Sequence, residues 1–168
     1  MNETTFARIP YPVAKDMSDH FLDAAERSWL RVDEYPLLDK AGKPLRGRQD
    51  EPLATHVTII GNPDARDTVW VTTALHGCEG PAGTMLAIWL MNHRYQIERA
   101  LGPDVRIVVA HNLNPWGASN FTRFDADRVD PNRNFRKRFP KTDRWCALSR
   151  DYQRLDTHLN PQELSLMT

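Results

Sequence analysis

His76 and Glu79 form an H-x-x-E pair within His76-Gly77-Cys78-Glu79-Gly80, and Asp130-Pro131-Asn132-Arg133-Asn134-Phe135 follows farther along the chain. An imidazole and a carboxylate at that spacing can converge on one ion, because Gly77 and Gly80 leave the backbone free to turn sharply. Zinc accepts both ligand types, and a hydrolytic zinc site normally combines three protein ligands with an open position. The Asn132 amide and the Arg133 guanidinium are suited to gripping a carboxylate, the guanidinium as a rigid fork and the amide as a directional donor. Together the two segments point to Zn2+-assisted hydrolysis of an amide that carries an acidic or C-terminal group.

Each piece also has a plainer reading. A histidine beside a helix start is usually structural, and Asn132 is a competent helix cap. Arg133, Arg136, Lys137, Arg138 and Lys141, with Phe135 and Phe139 among them, form a basic stretch that solvent alone can satisfy. No nucleic-acid module accompanies it elsewhere in the chain. Arg123 and Arg128 occupy a polar stretch from which either can polarise a carbonyl or hold an oxyanion, although most arginines simply face water. Asn114-Pro115-Trp116-Gly117 reads as a turn, or as a loop leaving the same sheet edge as His76. Cys78 has no triad-like partners, and packing is its expected role. His20 and His93 fall on expected helices and His56 on a strand, whereas His111 and His158 lack a supporting motif.

The elements that must position these groups follow from periodicity. Asp16 to Val32 reads as an amphipathic helix, with Phe21, Leu22, Ala25, Trp29 and Leu30 as its apolar stripe and Arg31 near its end. Glu34 to Glu51 is rich in Pro, Gly and charge, with a turn at Lys40-Ala41-Gly42-Lys43. Leu53 to Ile60 alternates as a strand and stops at Gly61-Asn62-Pro63. Thr68 to Leu75 is continuously apolar and β-branched, the pattern of a central strand covered on both faces. Gly80-Pro81 opens a helix through about His93, with Ala82, Met85, Leu86, Trp89 and Leu90 as its buried stripe. Gly102-Pro103 precedes a second buried-type strand, Val105 to Ala110. His111 to Thr142 is irregular, and a weak helix from about Ser149 to Leu159 ends before Pro161. Strand, helix, strand with short turns is a right-handed βαβ unit with the two strands parallel neighbours, hence an α/β fold in three layers.

Composition bounds the function classes. At 168 residues the chain is long enough for one domain, spanning 1–168, with a real core. A 40% hydrophobic and 26% charged composition is that of an ordinary globular protein, and zero net charge gives no global field for nucleic acid or membrane. No stretch is apolar for long enough to span a bilayer, and Met1-Asn2-Glu3-Thr4-Thr5 has no signal-peptide character. Cys78 and Cys146 form neither a CxxC pair nor a disulfide framework, so reduced thiols in a cytoplasmic protein are expected. The oligomeric state is not encoded in any of these features.

The order H-G-x-E-G after a buried strand, N-P-x-G after the next strand, then D-x-N-R-N-F resembles the zinc carboxypeptidase superfamily, in particular a bacterial carboxypeptidase-like branch. The resemblance runs from about Tyr11 to about Gln162. It implies a three-layer α/β/α fold with a mixed, largely parallel sheet, of which this chain is the N-terminal part. It implies His76 and Glu79 as the first two zinc ligands, and Asn132 and Arg133 as the pair that binds the substrate's terminal carboxylate. Arg123 matches the arginine that polarises the scissile carbonyl, with Arg128 competing for that role. Pro131 replaces a residue that is aliphatic or small in the family. Relatives also carry a third ligand histidine and a catalytic glutamate downstream of N-R-N-F, whereas this chain stops at Thr168 and neither His158 nor Glu163 sits in a matching motif. The expectation is an incomplete catalytic domain acting on a C-terminal peptide bond. The alternatives are an N-acyl amino acid deacylase resembling succinylglutamate desuccinylase and aspartoacylase, or a non-catalytic binding fragment.

Overall fold

The computed structural model describes residues 14–133. The expected helix at Ser149 to Leu159, Cys146, His158 and the basic stretch beyond Arg133 lie outside these residues. Four strands form one mixed sheet in the order β1-β2-β4-β3, from Val32–Pro36 (β1), Ala54–Ile60 (β2), Asp67–Thr72 (β3) and Val105–His111 (β4). β1 pairs antiparallel with β2, β2 antiparallel with β4, and β3 parallel with β4 in the register Val69↔Ile107 and Val71↔Val109. The α/β class and the parallel β3–β4 neighbours are as expected. Parallel pairing is confined, among the described residues, to that one pair.

Helix α1 (Ala14–Arg27) and helix α2 (Gly80–Asn92) pack over one face of the sheet. Phe21 and Ala25 of α1, Ile88 and Met91 of α2, and Ile60, Ile107 and Val109 of the strands share one apolar cluster. Helix α3 (Arg94–Leu101) adds Ile97 to it and ends at Gly102, whose φ of 74° leads into β4. Each large side chain in such a cluster contributes about 1.5–3 kcal/mol by leaving water. The opposite face carries Tyr35, Val57, Ile59, Trp70 and Val108 around a trough of about 330 Å³ that is lined by strand and loop residues alone.

Four local expectations change. First, the opening helix stops at Arg27 rather than Val32. Trp29 takes a left-handed φ of 53°, with Trp29 N donating to Glu26 O at 2.9 Å and Leu30 N to Ala25 O at 2.9 Å, a Schellman ending. Trp29 therefore leaves the apolar stripe and is 86% exposed, and Val32 begins β1, a strand the charge-rich composition hid. Second, β3 is not covered on both faces. It ends the sheet among the described residues, and Val69 is 45% exposed, so the more buried strand is β4, whose Ile107 to His111 are all buried.

Third, α2 buries Gly80, Thr84, Ala87, Ile88, Leu90 and Met91, while Met85, Leu86 and Trp89 are exposed. This helix is apolar nearly all round, so periodicity cannot choose its face. Small residues decide instead: a Cβ on Gly80 would meet Met17 Sδ at 2.7 Å, and one on Gly83 would meet Thr73 Cβ at 2.6 Å. Fourth, the segment after β4 is not wholly irregular, because a short helix α4 (Pro115–Asn120) interrupts it.

Candidate active site

Parallel β3 and β4 deliver two loops to one end of the sheet. Each loop turns through a left-handed residue, Ala74 at φ 54° and Asn112 at φ 62°. Such a conformation is unfavourable for alanine and persists only where the surroundings fix it. Here backbone bonds fix it: Leu113 N to Thr73 O at 2.9 Å and Asn114 N to Ala74 O at 3.0 Å tie the loops together. Asn114 caps α4, its Oδ1 accepting from Gly117 N at 2.8 Å, and its Nδ2 donates to Phe124 O at 3.2 Å. Asn114-Pro115-Trp116-Gly117 thus leaves the same sheet edge as His76, the second of its two expected readings, and opens α4 rather than a simple turn.

Gly77 opens a 3-10 turn, Gly77–Glu79, pressed against α4. A Cβ there would lie 1.8 Å from the Gly117 carbonyl carbon and 2.1 Å from Ala118 N, so only glycine permits the approach. This contact brings the H-G-x-E-G turn and the N-P-W-G loop backbone to backbone. Behind it, Glu51 is buried with Oε1 accepting from the Ser119 hydroxyl at 2.5 Å, while Ser119 Oγ accepts from Arg48 N at 2.7 Å. That clamp fixes the β1–β2 connection against α4.

Within this frame His76 Nδ1 lies 2.8 Å from Glu79 Oε1, and the Glu79 carboxylate also accepts from His76 N at 3.3 Å. The His76 ring is largely buried, whereas the Glu79 side chain is 55% exposed and faces solvent. The other ring nitrogen, Nε2, is 3.0 Å from Asp130 Oδ1. Asp130 Oδ1 also accepts from Asn132 N at 2.9 Å, and Oδ2 accepts from Arg123 Nε at 2.7 Å. Partial burial works to raise the Asp130 carboxyl, but hydrogen bonds from Arg123, His76 and Asn132, together with the Arg123 charge, outweigh it and hold its pKa below the ordinary aspartate value. A carboxylate with both oxygens engaged orients the imidazole it holds.

The structure therefore brings His76, Glu79, Arg123 and the backbone of Asn132 and Arg133 to one place. Pro131 opens a 3-10 turn, Pro131–Arg133, in which Arg133 N donates to Asp130 O at 3.0 Å, and the Asn132 and Arg133 side chains remain exposed. Arg128 is set apart. It adopts a left-handed φ of 62° in a loop closed by Asp125, whose Oδ1 accepts from Asp127 N at 2.9 Å and Val129 N at 2.8 Å. Burial raises the Asp125 pKa against those two bonds. The Arg128 side chain makes no hydrogen bond or ion pair among the described residues. Cys78 is exposed, not packed, because the 3-10 turn directs its neighbour Gly77 inward and leaves Cys78 outside. Asp130 is the residue the sequence reading passed over. Its signal was a carboxylate at the head of the D-P-N-R segment, within reach of any histidine that segment approaches.

The donor chemistry fits part of a zinc site. Nδ1 of His76 and a Glu79 oxygen converge as two ligands must, and Nε2 is held by a carboxylate in the way common to metal-binding imidazoles. Asp130 sits on the opposite ring edge and so does not join them as a ligand. Among the described residues no group of three or more His, Cys, Asp or Glu is arranged around one ion.

Residues 14–167 match the family described as a protein of unknown function, DUF2817. The chain belongs to the DUF2817 family. No curated protein matches this DUF2817 chain. Among solved structures it is similar to a provisionally assigned carboxypeptidase A from Shewanella denitrificans OS-217, at 14% identity and TM-score 0.56 over 87% of this chain and 37% of that one. A provisionally assigned carboxypeptidase from Burkholderia mallei ATCC 23344 gives 18% identity and TM-score 0.54 over 84% and 36%. A metallo-carboxypeptidase from Burkholderia cenocepacia gives 15% identity and TM-score 0.53 over 84% and 38%. The DUF2817 chain thus has the carboxypeptidase-like α/β fold and spans little more than a third of the length of these structures. Among its described residues no helix is long and apolar enough to cross a membrane.

Proposed function

We propose that this DUF2817 chain carries the metal-anchoring and carboxylate-gripping part of a carboxypeptidase-type hydrolase. The observation that carries the reading is His76 with Nδ1 at 2.8 Å from Glu79 and Nε2 at 3.0 Å from Asp130. His76 and Glu79 would hold zinc as two of its ligands, the remaining protein ligand coming from outside residues 14–133. A zinc ion there supplies Lewis acidity, activating water and polarising a carbonyl. With Nε2–H donated to Asp130, loss of the Nδ1 proton would free Nδ1 for the ion beside Glu79. Asn132 and Arg133, both with exposed side chains, bind the terminal carboxylate of a peptide or N-acyl amino acid, the guanidinium already leaning on its neighbour through Arg133 Nη1 donating to Asn132 O at 3.3 Å. Arg123 and Arg128 are the cations available to the scissile carbonyl.

Isothermal titration with Zn2+, followed by assays on C-terminal peptides and N-acyl amino acids, tests this. The expected result is zinc uptake that weakens as pH falls, because protons compete for the His76 nitrogen. Preference for N-acyl amino acids would shift the assignment to a deacylase. Wild-type affinity that survives His76→Ala and Glu79→Ala would end the metal reading.

A further inference from the structure

Arg123 is matched by resemblance to a carbonyl-polarising arginine, yet its Nε is committed 2.7 Å from Asp130 Oδ2. That pairing is half-shielded, with the Asp130 side chain 14% exposed and the Arg123 side chain 45%. The opposite carboxylate oxygen receives His76 Nε2 at 3.0 Å and Asn132 N at 2.9 Å. Three separate loops therefore meet on one carboxylate: the β3 exit through His76, the α4 exit through Arg123, and the Pro131–Arg133 turn through its backbone.

We infer that Arg123 is a positioning residue that locks Asp130, and through it the ring of His76. The inference rests on the reading of His76 as a metal ligand, although the hydrogen-bonded chain itself needs no ion. The geometry gives the reason. A lone carboxylate can rotate and offer either oxygen to the ring, whereas a charge-assisted bond to Oδ2 leaves only Oδ1 for Nε2. The donor is Nε, the atom nearest the backbone in the guanidinium, so the short α4 exit loop sets the position of the charge. Fixing Nε2–H on Oδ1 fixes the plane of the ring and so the direction in which Nδ1 faces Glu79, and partners of this kind alter metal affinity about 10–100-fold.

The test uses the whole chain with Arg123→Ala, Arg123→Lys and Asp130→Asn, and with Arg66→Ala as the control loss of an arginine–aspartate pair, Arg66–Asp67 at 2.8 Å. Long-range 15N NMR of the metal-free protein reads the His76 Nε2–H, and competition titration reads the zinc Kd. Arg123→Ala and Asp130→Asn should each lose the protected Nε2–H resonance and weaken zinc about 10–100-fold. Arg123→Lys, which keeps charge without the fork, should recover part of both, and Arg66→Ala should change neither. If Arg123→Ala lowers turnover while the Nε2–H signal and zinc Kd stay as in the wild type, Arg123 acts on the substrate and the inference is overturned. If the wild type takes up no zinc but its Nε2–H signal depends on Arg123 as described, the clamp stands and the metal reading fails.

Discussion

His76, in the loop that leaves β3, and His111, the last residue of the adjacent parallel strand β4, reach the same end of the sheet, yet their surroundings make them chemically opposite. His111 is fully buried, stacked on Phe21 with ring centroids 4.6 Å apart and planes 9° from parallel. Its Nδ1 meets the Thr73 hydroxyl at 2.9 Å, and among the described residues Nε2 has no well-formed hydrogen bond. Burial first, and the neighbouring His56 second, push its pKa down to about 3, with only the Met17 backbone working the other way. His76 instead has a carboxylate at each nitrogen. Apolar contact makes one imidazole a neutral core ring, and two carboxylates fix the orientation of the other.

The sharpest way to break this comparison is His111→Ala. Loss of a buried ring stacked on Phe21 should cost about 3 kcal/mol, read by chemical denaturation, with zinc affinity unchanged under conditions where the variant is folded. Next, His76→Ala should show the reverse: about 100-fold weaker zinc, or about 2.7 kcal/mol in titration, with a smaller loss of stability than His111→Ala. Equal stability losses from both variants would show that the two rings do the same work.

Acid should single out the core ring. The folded His111 pKa of about 3 lies below the ordinary 6.5, so the unfolded chain binds a proton that the folded chain refuses. Its stabilising effect is complete above pH 6.5 and is lost progressively as pH falls from there toward 3, at up to about 1.4 kcal/mol per unit. His56 is lowered in the same sense, by burial against the opposing pull of Glu34. Denaturation curves collected across that range should flatten in His111→Phe by about one proton. The smallest effect belongs to Cys78→Ser. Although flanked by the site residues, Cys78 is exposed, and its replacement should alter stability by less than about 0.5 kcal/mol and leave zinc binding as it was.

The sequence distinguished His76 from His111 through its neighbours, since only His76 is followed by flexible glycines and a glutamate at ligand spacing. It also disclosed β2 and β4, where alternation in Ala54–Ile60 and an unbroken apolar run in Val105–His111 are strong signals. Burial on α2 was illegible because its apolar residues surround the helix, and the choice of face depends on glycines meeting Met17 and Thr73. β1 was hidden because a short strand of Val, Asp, Glu, Tyr and Pro has no periodic signature until β2 pairs with it. Asp130 was visible as a residue but not as a partner, because its meaning depends on a fold that brings two distant loops into hydrogen-bond range. The choice between Arg123 and Arg128 was closed to sequence for the same reason.

The His76–Asp130 bond joins residues separated by 54 positions, and the backbone contact of Gly77 with Gly117 spans the strand and helices between. Closing a loop of that length has an entropic cost that must be met before the contact rewards it. The imidazole thus acquires its orientation only after β3, α2, α3 and β4 have assembled. During synthesis and refolding, His76 and Glu79 are sequence neighbours on an unshaped turn, with no distant carboxylate yet in place to orient the ring. The competence of the site is timed by the topology, arriving with the completed sheet and not before it.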